Sequence, residues 1–197
     1  MEGQKIRRII VSIHENIIEG ASMPKIDPGK PNSYSTVITE LLRDCRQSIR
    51  SIAESCKKGR QHVWRQIKDL EKKGAIWGYS AVIDEKKIGL SLYLALIKGG
   101  PPRKEVITKI IQRQCNDNIK GKEHIRIVES LFLNGAFDWA LMFSAPNIID
   151  AKRYAGKLKD IYENYIEEIQ LLEVIFPVAH CGQTNPDINH LQAFAID

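Results

Sequence analysis

The spacing of apolar residues changes near Gly74, and this change divides the sequence into two parts. Before it, apolar residues recur every three or four positions, which is typical of amphipathic helices. After it, they alternate with other residues, most clearly from Ile88 to Leu96, as they do in strands. The chain is therefore expected to be an α+β protein whose helical part comes first.

Three short helical patterns follow one another in the first part. Their apolar positions are Val37, Ile38, Leu41 and Leu42, then Ile49, Ile52, Ala53 and Cys56, then Val63, Ile67 and Leu70. The stretch from Gly74 to Ile83 has two glycines and an extended pattern, which predicts a small two-stranded hairpin and a connecting strand. Three helices and a hairpin form the outline of a winged helix-turn-helix, which we assign to residues 36–84.

The second part predicts the order βαββαβ. Its alternating and helical segments are centred on Leu92, Ile107, Ile127, Leu141, Leu158 and Ile169. This order is that of a ferredoxin-like sandwich, in which both helices cover one face of an antiparallel sheet. We assign this domain to residues 85–179 and expect its open face, if apolar, to need a partner. Residues 180–197 show no clear period and are assigned to a C-terminal tail.

The first 35 residues form a separate segment. Five isoleucines lie on one helical stripe, and the prolines of residues 21–34 then indicate a linker. Because the stripe needs something to pack on, we expect this amphipathic helix to dock on another subunit or on its own winged helix. The isoleucines are Ile6, Ile9, Ile10, Ile13 and Ile17.

Positive charge is concentrated in one short segment. The chain has a net charge of +5, yet residues 43–74 alone carry ten Lys/Arg and four Asp/Glu, a net of +6. Such a concentration is the electrostatic pattern that a polyanion would bind. The alternative is a helical surface that is merely solvated.

A helical wheel separates the third helix into two faces. With Val63, Ile67 and Leu70 inward, the outward face carries Gln61, Arg65, Lys68 and Lys72. In a helix-turn-helix the N-terminal part of this helix reads bases, and flanking cations bind phosphates. The predicted base-reading residues are Arg60, Gln61, His62 and Arg65, and the predicted phosphate-binding residues are Lys57, Lys58, Lys68 and Arg50.

Two tryptophans adjoin this surface. Trp64 lies about 100 degrees from the inward direction of the third helix, and we expect it to pack against the second helix rather than stack at the DNA edge. Trp77 lies at the tip of the predicted hairpin. It suits either a contact with the minor groove or a contact with a dimer mate, and the sequence leaves both open.

These motifs together resemble the Lrp/AsnC (feast/famine) transcriptional regulators over about residues 36–177. The similarity lies in the winged-helix stretch Asp44–Glu54 with Gly74-Ala75-Ile76 and Gly78-Tyr79-Ser80-Ala81, and in the turn Gly135-Ala136-Phe137-Asp138. The resemblance implies a DNA-binding regulator that forms dimers through the second domain, higher assemblies such as octamers, and a small effector, usually an amino acid. Lys58-Gly59 stands where the family usually has a Leu-Ser-like step, so the side-chain cap of the third helix is not expected.

The turn before the third strand is the candidate effector site. Gly135 permits a tight turn, and Asp138 can accept hydrogen bonds from an effector's amino group or from backbone N–H groups that fix the turn. Both roles remain open. If the resemblance extends to effector binding, Leu133, Ala136, Phe137 and Ile148 line the pocket together with these two residues.

Motifs for enzyme chemistry are missing from the sequence. No Gly-x-Ser-x-Gly, HExxH, P-loop or GxGxxG pattern occurs, and the four cysteines form no CxxC pair. We therefore predict no catalytic residues, no metal and no cofactor. The alternative is an enzyme like the siroheme decarboxylases, which share the two-domain architecture. Apolar runs are too short to cross a bilayer, so no membrane partner is expected. The expected partner is double-stranded DNA, and the expected location is the cytoplasm.

Overall fold

A computed structural model describes residues 35–113 and 125–195 of the chain, of which Ser35 and Arg113 are described by backbone alone. The predicted isoleucine helix and its linker lie outside these residues. The described residues separate into two compact units, one ending at Tyr79 and the other starting at Ser80. The domain limits proposed from the sequence, at residues 84 and 179, stay predictions.

Three helices build the first unit, as predicted. They are α1 (Ser35–Arg43), α2 (Ile49–Ser55) and α3 (Arg60–Lys72). Val37, Ile52, Ala53, Val63 and Ile67 form its buried core, so the residues that predicted the helices also pack them together. Ser48 caps α2 by accepting a hydrogen bond from the Ser51 N–H at 3.1 Å. Gly59 precedes α3 without a side-chain cap, in agreement with the sequence.

The predicted hairpin after α3 is wrong, because residues 76–83 form no strand. Gly74 adopts a positive φ of 68°, and the N–H groups of Ala75 and Ile76 donate to the Leu70 carbonyl at 2.9 and 3.2 Å. This glycine-terminated helix end uses the backbone donors that would begin a strand ladder. The two glycines therefore end the helix and extend the chain without pairing two strands.

The second unit has the predicted order βαββαβ. Its elements are β1 (Ser91–Gly99), α4 (Lys104–Arg113), β2 (Arg126–Phe132), β3 (Trp139–Ala145), α5 (Ile148–Ile161) and β4 (Ile166–Glu173). The strands form one antiparallel sheet in the order β2-β3-β1-β4. This is the ferredoxin-like topology that the sequence indicated.

The helices cover the sheet face that carries Tyr93, Ala95 and Ile97 of β1. The alternating leucines that revealed this strand lie on the opposite, open face, because successive side chains of a strand point to opposite sides. Leu94 and Leu96 are half-buried there. The sequence pattern thus located the strand, but its most buried side chains are the alternate ones, Tyr93, Ala95 and Ile97.

Helix α5 begins with a side-chain cap. The Asn147 side chain accepts hydrogen bonds from the N–H groups of Ile149 and Asp150 at 2.9 and 3.0 Å. Tyr154 occupies a buried position that the sequence analysis missed. Tyr162 and Tyr165 are buried beyond the end of the helix at Ile161.

The last strand of the sheet ends at Glu173, and local pairing orders the chain after it. Strands β5 (Ala179–His180) and β6 (Gln183–Thr184) form a small ladder, and a 3-10 helix follows over Ile188–Phe194. An ion pair of 2.9 Å between Lys87 and Asp187 ties this region to the start of the unit.

The segment before β1 is held on the sheet by a buried ion pair. The carboxylate of Glu85 pairs with the guanidinium of Arg126 on β2. Moving the segment away would leave one of these charges without its partner, which is unfavourable. The pair therefore holds the segment against the sheet. In the described ranges, no helix has both the length and the apolar character needed to cross a bilayer.

Candidate nucleic-acid interface

Helix α3 buries one face and exposes the predicted base-reading residues on the others. Val63, Gln66, Ile67 and Leu70 are its buried positions. Arg60, Gln61, His62 and Arg65 are exposed, and no hydrogen bond or ion pair ties their side chains to another described residue. Their donors and acceptors are therefore available to a ligand, as base recognition requires.

The predicted phosphate-binding residues differ in how they are held. Lys57 is exposed at a positive φ of 52° in the short connection between α2 and α3. Arg50 pairs with Glu54 at 2.9 Å and Lys68 pairs with Glu71 at 2.7 Å. Exposed pairs of this kind contribute at most about 1 kcal/mol, so a phosphate can replace the carboxylate.

Lys58 is the most constrained of the phosphate candidates. Its ammonium donates to the Oε1 atom of Gln66 at 3.2 Å, and it is only partly exposed. Gln66 is a buried polar residue on α3 that sequence reasoning missed, because a glutamine beside Arg65 looks like part of the polar face. The signal was its position, three residues after Val63 and four before Leu70, which is the inward spacing.

Trp64 is 49% exposed, so the prediction that it packs in the core is wrong. The inward side of α3 is already filled by Val63 and Ile67, and a unit of three short helices has no further layer to cover a residue at the boundary. Trp77 is exposed after the end of α3.

The turn that carries the candidate effector residues is held mainly by Asp138. Its Oδ2 atom accepts a hydrogen bond from the Gly99 N–H at 2.9 Å, its own N–H donates to the Ile97 carbonyl, and its carbonyl accepts from the Leu133 N–H. Asp138 therefore joins the turn to the end of β1. This geometry supports the turn-fixing role that the sequence left open beside the effector role.

Leu133, Ala136 and Phe137 lie in this turn, whereas Ile148 begins α5 and is separated from the turn by the whole of strand β3. Gly135 has open space beside it and no positive φ, so its conformation does not require glycine, contrary to the expectation that it permits the turn. Leu133, Ala136 and Ile148 are exposed and Phe137 is half-buried. The assignment of these residues to an effector stays a prediction.

Replacing Asp138 with alanine is expected to lower the free energy of unfolding by about 2 kcal/mol, since a charge-assisted bond to the Gly99 N–H is lost. Asp138→Asn retains an acceptor oxygen and should lose less than half as much. Urea denaturation of both variants measures the difference. Equal stability of Asp138→Ala and the unmodified chain would contradict the turn-fixing role.

A cleft of about 230 Å³ lies at the same end of the second unit. Basic Arg103 and Lys109 and acidic Glu105 and Glu163 line it, together with the aromatic rings of Tyr162 and Tyr165. None of the six predicted effector residues lines this cleft. The sequence gave no signal for it, since its wall comes from the start of α4 and the turn before β4.

A close contact explains Gly99, the first of two consecutive glycines beside this cleft. A Cβ atom on Gly99 would lie 2.6 Å from the Tyr165 carbonyl oxygen, closer than real contacts allow. The Gly100 N–H donates to that same oxygen at 3.0 Å. Gly99 is therefore required by the approach of the two backbones.

Comparison with known proteins identifies both units. A sequence model of winged helix-turn-helix DNA-binding domains matches residues 36–76. Solved structures match across both units, among them LrpC of Bacillus subtilis, with 20% identity, 75% of this chain and 96% of that chain covered, and a TM-score of 0.56. No curated protein matches the chain in a sequence search.

Two further structures share the arrangement. An AsnC family transcriptional regulator from Agrobacterium tumefaciens is 16% identical, covers 80% of this chain and 98% of its own, and has a TM-score of 0.58. A transcriptional regulator of Neisseria meningitidis in complex with L-methionine is 15% identical, covers 82% and 99%, and has a TM-score of 0.57. The chain has the two-domain Lrp/AsnC fold.

The Lrp/AsnC fold contains the two domains that the sequence motifs indicated. Residues 36–76, which include helix α3, match the winged helix-turn-helix, and the sheet of the second unit has the ferredoxin-like topology. In this chain the Lrp/AsnC fold lacks a paired hairpin in residues 76–83.

Proposed function

We propose that this protein is a sequence-specific DNA-binding transcription regulator. The observation that carries the proposal is the exposed N-terminal half of α3, where Arg60, Gln61, His62 and Arg65 are free of described partners. Arg can pair with guanine O6 and N7, and Gln can pair with adenine N6 and N7, in the major groove. A helix with these side chains exposed in a helix-turn-helix is suited to base recognition.

The charge distribution supports the same proposal. The net charge of +6 in residues 43–74 lies on the unit that carries α3, and the remainder of the chain is close to neutral. Lys57, Lys58, Lys68 and Arg50 are placed before and along α3, where cations can neutralise phosphates beside the groove. Specific contacts and non-specific attraction thus come from one surface.

We further propose that the chain dimerises through the open face of its sheet. Leu94 and Leu96 on β1 are half-buried, and Leu172 on β4, opposite Leu94, is 46% exposed. Met142 on β3 adjoins Leu94 on its other side. An apolar sheet face of this kind is suited to a second copy, and a dimer would present two α3 helices to a pseudo-palindromic site.

The substitution Leu94→Glu tests this dimer. A charge at the centre of an apolar interface is expected to raise the dimer dissociation constant by at least about 100-fold, since a buried unpaired carboxylate is costly. Analytical ultracentrifugation measures the constant. Ile111→Glu, which adds the same charge in place of an exposed apolar side chain of α4 on the other side of the sheet, is the matched control. An unchanged constant for Leu94→Glu would reject this face as the interface.

The proposed effector is an amino acid bound by the second unit. The proposed assembly is a dimer, from which octamers can form. The L-methionine complex of the Neisseria regulator concerns that protein, and its similar fold motivates the proposal for this one. Gly135, Asp138 and their neighbours remain the proposed contacts. As a DNA-binding regulator the protein would act in the cytoplasm, without catalysis.

Selection of bound fragments from a random DNA pool tests the function directly. The full chain is used with and without each of the twenty amino acids, and siroheme is tested in parallel. Enrichment of a sequence with two related half-sites supports the regulator, and a change on adding one amino acid identifies the effector. Tetrapyrrole binding with a spectral change, and no retained DNA, would instead support the decarboxylase alternative.

A further inference from the structure

The cleft beside Tyr165 is formed by one chain and has a volume of about 230 Å³. One of its walls is the start of α4, and the other is the turn between α5 and β4. Sites for drug-sized ligands typically enclose about 300–1,000 Å³. The cleft therefore suits a smaller molecule, of the size of a single amino acid.

Hydrogen bonds hold the two walls of this cleft in place. The Lys109 ammonium on α4 donates to the Ile161 carbonyl, at the end of α5, with a separation of 3.0 Å. The Gly100 N–H donates to the Tyr165 carbonyl and the Tyr165 N–H donates to the Tyr162 carbonyl, both at 3.0 Å. Because these bonds already fix the walls, a ligand does not have to order them on binding.

Three charged residues that line the cleft have no side-chain partner among the described residues. Arg103 precedes α4, Glu105 lies in its first turn and Glu163 follows α5, and all three are exposed. A guanidinium pairs well with a carboxylate, and a carboxylate accepts hydrogen bonds from an ammonium group. The first N–H groups of α4, which have no acceptor within the helix, also favour a carboxylate at this end.

The buried part of the cleft is apolar apart from one hydroxyl group. Val106, Tyr162 and Tyr165 line the cleft and are buried, with Tyr165 only 2% exposed. The Tyr165 hydroxyl has no hydrogen-bond partner among the described residues. Burial, and then the charge of Asp138, raise the pKa of Tyr165, so the hydroxyl remains a donor at neutral pH. Since buried polar groups are nearly always hydrogen-bonded, this hydroxyl is suited to bind a ligand.

The charges in the cleft favour a zwitterion over other small ligands. A simple anion would lie beside Glu105 and Glu163, and a simple cation would lie beside Arg103, so each would meet a like charge. An uncharged molecule would displace water from these side chains without replacing its hydrogen bonds. A zwitterion pairs with charges of both signs, and an apolar group on it would match the buried part of the cleft.

We propose that this cleft binds a free α-amino acid with an apolar side chain, as its zwitterion. The carboxylate contacts Arg103 and the Tyr165 hydroxyl, and the ammonium group contacts Glu105 and Glu163. The apolar side chain packs on Val106. The proposal rests on the proposed function for the class of ligand, but it places the ligand in a cleft of one chain, away from the candidate effector turn.

Isothermal titration calorimetry of the full chain, without DNA and with each of the twenty amino acids, tests the proposal. An apolar amino acid is expected to bind with one molecule per chain. Its methyl ester lacks the carboxylate, and the corresponding acid without the amino group lacks the ammonium. Each analogue should bind at least about tenfold more weakly, because each loses a charge-assisted hydrogen bond.

Two variants locate the ligand in the cleft. Arg103→Gln should weaken binding at least about tenfold, and Tyr165→Phe should weaken it about fivefold. Because the Tyr165 hydroxyl has no described partner, Tyr165→Phe should keep the melting temperature of the unmodified chain, which separates a ligand contact from a structural role. Lys104→Gln removes the same charge from an exposed neighbour that does not line the cleft, and this matched control should bind normally.

Two results would overturn the cleft site. If an amino acid binds and both Arg103→Gln and Tyr165→Phe keep full affinity, the ligand lies elsewhere, and the proposed effector class stands without this site. If none of the twenty amino acids binds, the cleft proposal is wrong. The selection from a random DNA pool does not depend on either result, so a failure of the proposed DNA-binding function is recognised separately.

Discussion

Replacing Arg65 with alanine is expected to weaken binding to the selected operator by about 5- to 150-fold for each of the two copies in the proposed dimer, the range for losing one bidentate pair with guanine. Binding to a scrambled duplex should change much less, so the preference for the operator falls. The reason is that Arg65 is exposed on the outward face of α3 with no described partner. Competition between the two duplexes at fixed salt, followed by anisotropy, measures the preference.

Arg153→Ala is the matched control for this change. It removes the same charge from an exposed arginine that pairs with Asp150 on the other unit. Operator preference should survive in this variant, and both variants should keep the oligomeric state of the unmodified chain. If Arg65→Ala keeps full preference, the outward face of α3 does not read the bases.

Affinity for the operator is expected to fall by about 10³- to 10⁵-fold between 50 and 200 mM salt, as for proteins with six to ten phosphate contacts. The proposed dimer would supply eight candidates, namely Arg50, Lys57, Lys58 and Lys68 from each copy. Each phosphate neutralised releases counterions, which makes the logarithm of affinity linear in the logarithm of salt. A salt titration of the anisotropy signal gives the slope.

Lys57→Gln separates this surface from general positive charge. Two contacts are lost per dimer, so the magnitude of the slope should fall by about 1.8. Lys159→Gln, an exposed lysine on α5, should leave the slope unchanged. Affinity that does not depend on salt, or equal effects of the two variants, would contradict phosphate binding by this segment.

The fold was largely predictable because its patterns are local. Each helix of the first unit buries most of the apolar stripe that predicted it, with Leu42 of α1, 71% exposed, as an exception. The strand and helix order of the second unit follows from its periodicities. The hairpin after α3 was mispredicted because Gly74 marks a helix end as readily as a turn, and only the bonds to the Leu70 carbonyl distinguish the two.

The sequence predicted which face of α3 is exposed, but not how far the residues at the edges of that face are covered. The exposure of Arg65 follows from the wheel, since Val63, Ile67 and Leu70 fix the inward side. The exposure of Trp64 does not follow, because it depends on how far neighbouring helices extend over the edges of α3. Amphiphilic residues at such a boundary are decided by tertiary packing.

Contacts between distant parts of the chain were beyond sequence reasoning. The bond from the Gly99 N–H to Asp138 joins residues 39 positions apart, and the buried pair of Glu85 and Arg126 joins residues 41 apart. The spacing of apolar residues along the chain does not indicate which distant residues pair. The cleft beside Tyr165 was missed for the same reason, since its lining residues carry no common motif.

Methylation protection of guanine N7 on the selected operator tests most directly whether α3 occupies the major groove. We predict two clusters of protected guanines separated by about one helical turn, 10 to 10.5 base pairs, or a multiple of it, with protection lost in Arg65→Ala. A complex that forms at full occupancy while every guanine N7 of the operator stays reactive would contradict the placement of α3 in the major groove.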